Sequence, residues 1–231
     1  MSATILDLRM SRIAECVPRG AILADIGTDH GKLPVYLALN KRIKRAVAAD
    51  INEMPLQKAV NNIKKNNLED TIDTYLTDGL KGIEQFSPNC VVIAGMGGEL
   101  IEQILEEGTI EKGNVKYILQ PMTKEDSLRK YLCRNGYCIT DEHIVKEGKL
   151  YQIICAEYDG KSREMGEAEY LLGRINIEKS EDLLGLLIEK VIERTSVKIN
   201  GKLKAKLDVS EEISCLKELT EIKENYYGNG K

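Results

Sequence analysis

Tryptophan is absent from the 231 residues and phenylalanine occurs once, so aromatic stacking on any ligand falls to the ten tyrosines. Only two histidines are present, and the six cysteines (Cys16, Cys90, Cys133, Cys138, Cys155, Cys215) are scattered without a Cys-x-x-Cys pair. That counts against a metal site and points to a reduced, cytoplasmic protein. No apolar run approaches the roughly 20 residues of a membrane span. The first residues also lack the basic segment, apolar stretch and small-residue cleavage site of a secretory signal, so no membrane partner is expected. Neither charge is in large excess: 33 Lys and Arg stand against 37 Asp and Glu, a formal net charge of -4. The global balance announces no polyanion, although binding one depends on where basic residues cluster.

What is present is an alternation. "TILDLRMSRIAECV" is spaced as an amphipathic helix that Pro18-Arg19-Gly20 stops. Short apolar runs then follow at 21–26, 45–51, 71–78, 90–95 and 115–121, separated by helical patterns at 31–40, 53–67, 98–108 and 124–136. Strands separated by helices of these lengths imply a parallel sheet covered on both faces. Pro34 fits the helix at 31–40 only within its first turn. Residues 137–158 instead form two β-rich runs around Glu147-Gly148-Lys149, a hairpin signal that brings the strands to seven. Beyond about residue 161 only helical spacing remains, at 165–199 and 210–225. These read as two antiparallel helices turning at Asn200-Gly201 or at Asp208-Ser210, before a polar end, "GNGK". The expected division is an α/β domain at 1–160 and a helical domain at 161–231.

In doubly wound sheets, ligands sit beyond the carboxyl ends of the strands, where the strand order reverses. Those ends read Asp25-Ile26-Gly27, then Asp50, then Asp78-Gly79, then Gly95-Met96-Gly97-Gly98. Gly27 lets a ligand approach the backbone, and the next helix N-terminus offers free N–H groups. Asp50 lies where such folds place a carboxylate on ribose hydroxyls; Asp78 suits an adenine amino group, and Gly95 leaves room for the ligand. Singly, each Asp reads better as a helix cap or a surface carboxylate than as a ligand contact. Four marked strand ends in order are harder to dismiss. "DIGTDHG" departs from G-x-G-x-x-G, because Asp29 replaces the second glycine. Asp25 and Asp29 together would repel a pyrophosphate but suit the cationic sulfonium and amino group of S-adenosylmethionine. Seven strands ending in an antiparallel hairpin fit the class I, Rossmann-like methyltransferases.

"ADIGTDHGKLPVYLA", "AAD", "TDGL", "VIAGMGGELI", "LQPMTKEDSLRKYL" and "GKLYQIICAEY" resemble the bacterial TrmK-type tRNA N1-adenine methyltransferases, which modify adenine 22 of tRNA. The resemblance runs from about residue 4 to 158 and implies a class I fold followed by a coiled-coil-like helical domain. The cofactor positions it implies are Asp25, Gly27, His30, Asp50, Asp78, Gly79 and Gly95, to which their neighbours Thr28 and Ile51 are added.

The fourth strand end lacks the [D/N]-P-P-[F/Y] that methyltransferases of exocyclic amines carry there. N1 of adenine already has an in-plane lone pair, so alignment can carry much of the catalysis. A carboxylate could then stabilise the cation that forms. Asp29 is the candidate, and a helix N-cap is its competing reading. His30 is read as a structural or cofactor-wall residue, and His143 as a surface residue. Gln120 and Met122 line the rim of the target pocket or only form an X-Pro turn, and Met96 joins them as a substrate candidate. For RNA the candidates are Arg9 and Arg12 on the first helix and Lys198, Lys202, Lys204 and Lys206 of the tail. "KRIKR" precedes its strand and so lies opposite the cofactor end. The expected function is therefore methylation of N1 of a tRNA adenine from S-adenosylmethionine, with tRNA as partner, no metal, and a monomeric state. The competing readings are a methyltransferase for a small molecule or protein, and a non-catalytic nucleoside-binding protein that recruits partners through its tail.

Overall fold

A computed structural model describes residues 5–180 and 182–228. Of the polar end "GNGK", all but Gly228 lies outside the described residues. The seven expected strands are β1 (Ala21–Ile26), β2 (Ile43–Asp50), β3 (Ile72–Leu76), β4 (Cys90–Met96), β5 (Lys116–Pro121), β6 (Tyr137–Glu147) and β7 (Lys149–Tyr158). They form one sheet in the order β3-β2-β1-β4-β5-β7-β6. The first five run parallel, and β7 lies antiparallel between β5 and β6. The order reverses between β1 and β4, which opens the ligand crevice of this architecture at their carboxyl ends.

Both faces are covered, which is why the central strands read as unbroken apolar runs. On one face Ala24, Val47, Ile93 and Leu119 pack against α4 (Gly98–Glu107) and α5 (Glu125–Arg134). On the other, Leu23, Ala48, Val92 and Ile118 pack against α1 (Leu8–Cys16), α2 (Lys32–Leu39) and α3 (Glu53–Lys65). Pro34 is the third residue of α2, where no intrahelical N–H is needed. β2 starts two residues earlier than expected, so Ile43 and Lys44 of "KRIKR" are strand residues as well as Arg45, which pairs with Asp73 of β3 at 3.0 Å.

The tail differs more. Its first expected helix is broken into α6 (Glu167–Leu172), α7 (Arg174–Glu178) and α8 (Leu184–Lys204). Only then does the chain turn, through 205–209, into α9 (Ser210–Gly228), so Asn200-Gly201 is helix interior. Pairs such as Lys223 with Glu189 and Lys202 with Glu212 run α8 and α9 antiparallel. The first break sits at Gly173, whose φ is +89° and where a Cβ would lie 2.5 Å from both carboxylate oxygens of Glu142.

That carboxylate belongs to a buried network. Arg129 of α5 donates from Nε to Glu142 of β6 (2.7 Å), from Nη2 to Gln152 of β7 (2.7 Å) and from Nη1 to the Tyr170 carbonyl of α6 (2.8 Å). The Ile175 amide of α7 donates to the second Glu142 oxygen at 3.0 Å. Arg129 and Glu142 are both fully buried, so the expected boundary near residue 160 is crossed by a charged cluster with no access to water. Ile144 of β6 also enters the apolar core of the tail, among Leu172, Leu187, Ile188 and Leu219.

Candidate active site

Beyond β1 the chain turns sharply at Gly27, with φ +72°. The Gly27 and Thr28 amides both donate to the Ala49 carbonyl of β2, at 2.9 and 3.0 Å. A Cβ on Gly27 would fall 2.1 Å from Cε of Met96, so the Met96 side chain lies directly on the glycine backbone. Asp25, the last but one residue of β1, is 6% exposed and accepts a 2.6 Å hydrogen bond from the Thr28 hydroxyl. Burial pushes its pKa from the ordinary 3.8 up to about 6; Thr28 opposes the rise, and Asp29 and Asp50 add to it. It faces a cavity of about 470 Å³ shared with Gly27, Asp29, Ala94 and Gly95.

The remaining walls are the first turn of α2, with Lys32 and Leu33, and the start of α1, a helix whose arginines are the expected RNA contacts. Asp7 caps this helix through the Met10 amide at 2.6 Å, and Glu147 at the end of β6 accepts from the Leu8 and Arg9 amides. The helix is thereby held with Leu6, Arg9 and Met10 over the cavity. Arg9 donates to Gln120 Oε1 at 2.6 Å, lies 5.5 Å from the Tyr151 ring centre and passes over Gly95. Gln120 is fully buried, and its Nε2 donates to the Pro121 carbonyl at 2.6 Å. It is therefore not a rim residue: both ends of its amide are engaged, and it holds Arg9. Met122 is half-buried, donates its amide to the Met96 carbonyl at 2.7 Å, and packs its sulfur near Gln120 Nε2. Arg12 points away and pairs with Glu15 at 2.9 Å. One signal for the role of Arg9 was available, an arginine on the same helical face as Leu6, Met10 and Ile13.

Asp29 does not cap α2. The N-cap is Gly31, with no side-chain hydrogen bond. The Asp29 carboxylate, 72% exposed, pairs instead with Lys32 at 2.7 Å and with His30 Nε2 at 3.5 Å. The hydrogen bond from Lys32 chiefly holds its pKa below the usual carboxylate value. His30 takes φ +59° and its carbonyl accepts from Asn62 of α3 at 3.1 Å, tying the turn to a neighbouring helix. Asp50, half-buried at the end of β2, accepts the Asn52 amide at 2.7 Å, and Ile51 beside it is exposed. Asp78 is turned outward to Lys81 at 2.8 Å, while Gly79 packs on Ile104; neither lines the cavity.

Two other expectations change. His143 is not a surface residue, since its side chain is only 16% exposed and lies 3.4 Å from Asp141. In the tail, Lys198 and Lys202 both bind Glu212, at 2.8 and 2.7 Å, which neutralises much of the basic patch expected there. Among the described residues no group of His, Cys, Asp and Glu could hold a metal ion, and no helix is long and apolar enough to cross a membrane.

The chain matches the family model described as "Methyltransferase domain" over residues 6–154. It is 37% identical over 175 residues to the tRNA (adenine(22)-N(1))-methyltransferase of Bacillus subtilis, covering 72% of this chain and 74% of that protein. The crystal structure of the B. subtilis M1A22 tRNA methyltransferase TrmK superposes with a TM-score of 0.79 at 31% identity, over 97% of this chain and 98% of that one. The structure of M. capricolum TrmK in complex with the cofactor product S-adenosyl-homocysteine superposes with a TM-score of 0.76 at 25% identity, over 96% and 98% of the two chains.

Proposed function

We infer, from the premise that the chain belongs to the methyltransferase-domain family and within it to the TrmK-type tRNA (adenine(22)-N(1))-methyltransferases, that it methylates N1 of adenine 22 in tRNA using S-adenosylmethionine. The observation that carries this reading is the buried Asp25 carboxylate facing the cavity at the point where the strand order reverses. A buried acid with a hydroxyl partner fits a ligand that brings a positive charge to it, and the positive φ of Gly27 makes the sharp turn that follows this carboxylate at the cavity wall.

The cofactor supplies an electrophilic methyl group on a sulfonium. Everything else falls to the chain. Asp25 faces the cationic end, and Asp50 accepts from the ribose hydroxyls. The first turn of α1, with Arg9 fixed by Gln120, walls the space for a target base that has left its stack. N1 attacks through its own lone pair, so no general base is required and alignment within this wall provides the acceleration. Asp29 offsets the positive charge gained by the ring.

Incubation with labelled cofactor and tRNA from a strain lacking this protein, followed by nucleoside mapping, should place the label in 1-methyladenosine at position 22. Label on another nucleoside, or on protein and small molecules only, would sink the reading.

Two substitutions separate the roles. Asp50→Ala should weaken cofactor binding about tenfold to a hundredfold, the loss of a charge-assisted hydrogen-bonded pair; parental affinity by calorimetry would remove Asp50 from the site. Asp29→Asn should lower single-turnover rate by only about tenfold, because a solvent-exposed, lysine-paired carboxylate is heavily screened. Its melting temperature should stay within a degree or two of the parent, as no cap is lost. An unchanged rate would strike Asp29 from the reaction.

A further inference from the structure

The turn from β6 into β7, Gly148-Lys149-Leu150-Tyr151, has no task in the methyl transfer itself, yet it stands at the ligand end of the sheet. β7 runs antiparallel to both β5 and β6, so β6 points the same way as the parallel strands and its carboxyl end lies beside theirs. Two contacts tie this hairpin tip to the helix over the cavity. The Glu147 carboxylate accepts the Leu8 and Arg9 amides at 3.4 and 3.3 Å. The half-buried Tyr151 ring has the Arg9 guanidinium 5.5 Å from its centre and the Lys149 ammonium 5.1 Å from it. Lys149 is thus one ring away from a side chain that lines the cavity.

We propose that this hairpin tip is the contact for the RNA backbone at the cavity mouth, with Lys149 taking a phosphate that flanks the target nucleotide and Tyr151 positioning Lys149 and Arg9. The inference rests on tRNA being the substrate. Two cations held against one ring repel each other, and the negative face of the ring offsets only part of that repulsion. Arg9 has some relief, from Asp7 at 3.9 Å and from the Gln120 oxygen. Lys149 has none: it is exposed and, like the exposed Lys146, makes no ion pair among the described residues. Glu147, the acid between them in the chain, is engaged by the amides of α1.

A phosphodiester supplies the missing negative charge. RNA that places a base in the cavity necessarily brings a phosphate on either side of that nucleotide to its mouth. The tail offers less for this purpose, since Lys198 and Lys202 already share Glu212. No described residue bonds the Tyr151 hydroxyl, so the ring face and not the phenol is what the two cations use.

The test measures tRNA binding by the full chain at several salt concentrations, with cofactor affinity by calorimetry and steady-state methylation of tRNA alongside. Lys149→Gln should weaken tRNA binding about threefold to tenfold and flatten the slope of log affinity against log salt by about one, the loss of one phosphate contact. Its cofactor affinity should match the parent. Lys44→Gln, which changes an exposed lysine at the opposite end of the sheet, should leave tRNA affinity and slope alone. Tyr151→Leu should raise KM for tRNA about tenfold with kcat lowered by less than about threefold, because Gln120 still holds Arg9. It should also flatten the salt slope, which lost packing by itself would not do, and Tyr151→Phe should restore both values. A Lys149→Gln protein with parental affinity and slope, or a Lys44→Gln protein that loses as much, would overturn the proposal and leave tRNA methylation standing. A Tyr151→Phe protein as defective as Tyr151→Leu would overturn the role of the ring. If the parent neither binds nor methylates tRNA, the substrate assignment falls first and this contact falls with it.

Discussion

Asp25→Asn should melt at a higher temperature than the parent protein at neutral pH and lose its hold on S-adenosylmethionine by about a hundredfold to a thousandfold. Both halves come from one carboxyl group. Its pKa is raised from 3.8 to about 6 by burial, which means that the folded chain prefers it protonated. For an acid shifted upward, stability falls as pH rises from about 4 through about 6, and then stays level. The cost of carrying the charge at pH 7 is about 3 kcal/mol at roughly 1.4 kcal/mol per pKa unit. Asparagine removes that cost, so the variant should gain several degrees at pH 7. The gain should vanish near pH 4, where the aspartate is protonated as well. A cationic ligand normally recovers the cost, and a buried charge pair deprived of one member loses about 2–5 kcal/mol of binding.

The same shift predicts a proton signature. Near pH 6 about half of the unliganded molecules carry a protonated Asp25, and a cation bound beside it favours the ionised form. Cofactor binding should therefore release protons between about pH 5 and 7, measurable by calorimetry in buffers of different ionisation enthalpy, and affinity should weaken below pH 6. Asp25→Asn should abolish the release. An Asp25→Asn protein with the parental melting temperature at pH 7 and parental affinity would show that this carboxylate does not face the cofactor.

The strand ends were legible in the sequence because their cause is local. An apolar run ending in Asp or Gly before a helical pattern follows from periodicity and turn chemistry within a dozen residues, and Asp25, Gly27 and Asp50 all stand where that reading put them. What escaped it depends on partners far along the chain. Gln120 reads as part of a turn until Arg9, 111 positions away, is found on its amide oxygen. For Asp29 the sequence leaves a reaction carboxylate and a cap side by side, and the cap falls away only when the helix is seen to start two residues later, from Gly31. His143 looks exposed on a strand of alternating polarity, yet the carboxyl end of α1 covers it. The tail reads as one long helix because its Leu and Ile spacing continues through 165–199. The break at Gly173 is imposed by the Glu142 carboxylate arriving from β6, which no helical periodicity reveals.

That carboxylate also decides how the two parts of the chain depend on each other. Glu142→Ala should lower stability by about 3–5 kcal/mol, the cost of leaving a buried charge without its partner. For a chain of this size that corresponds to roughly 6–20 °C in melting temperature. Arg129 would keep only the Tyr170 carbonyl and Gln152, and the Ile175 amide would lose its acceptor. Replacing both ionic residues, Arg129→Met with Glu142→Leu, removes the stranded charge and should recover most of the loss, because buried pairs contribute little net stability over apolar residues of similar size. Because the network joins α5, β6 and β7 to α6 and α7, the single variant should also loosen the tail against the sheet. Limited proteolysis should then cut it between about residues 173 and 183 sooner than the parent, while the cavity at the far end of β1, which shares none of these side chains, keeps its affinity for S-adenosylmethionine at low temperature. If Glu142→Ala melts within about 1 kcal/mol of the parent protein, the network is decoration and the helical tail is held by its apolar core alone.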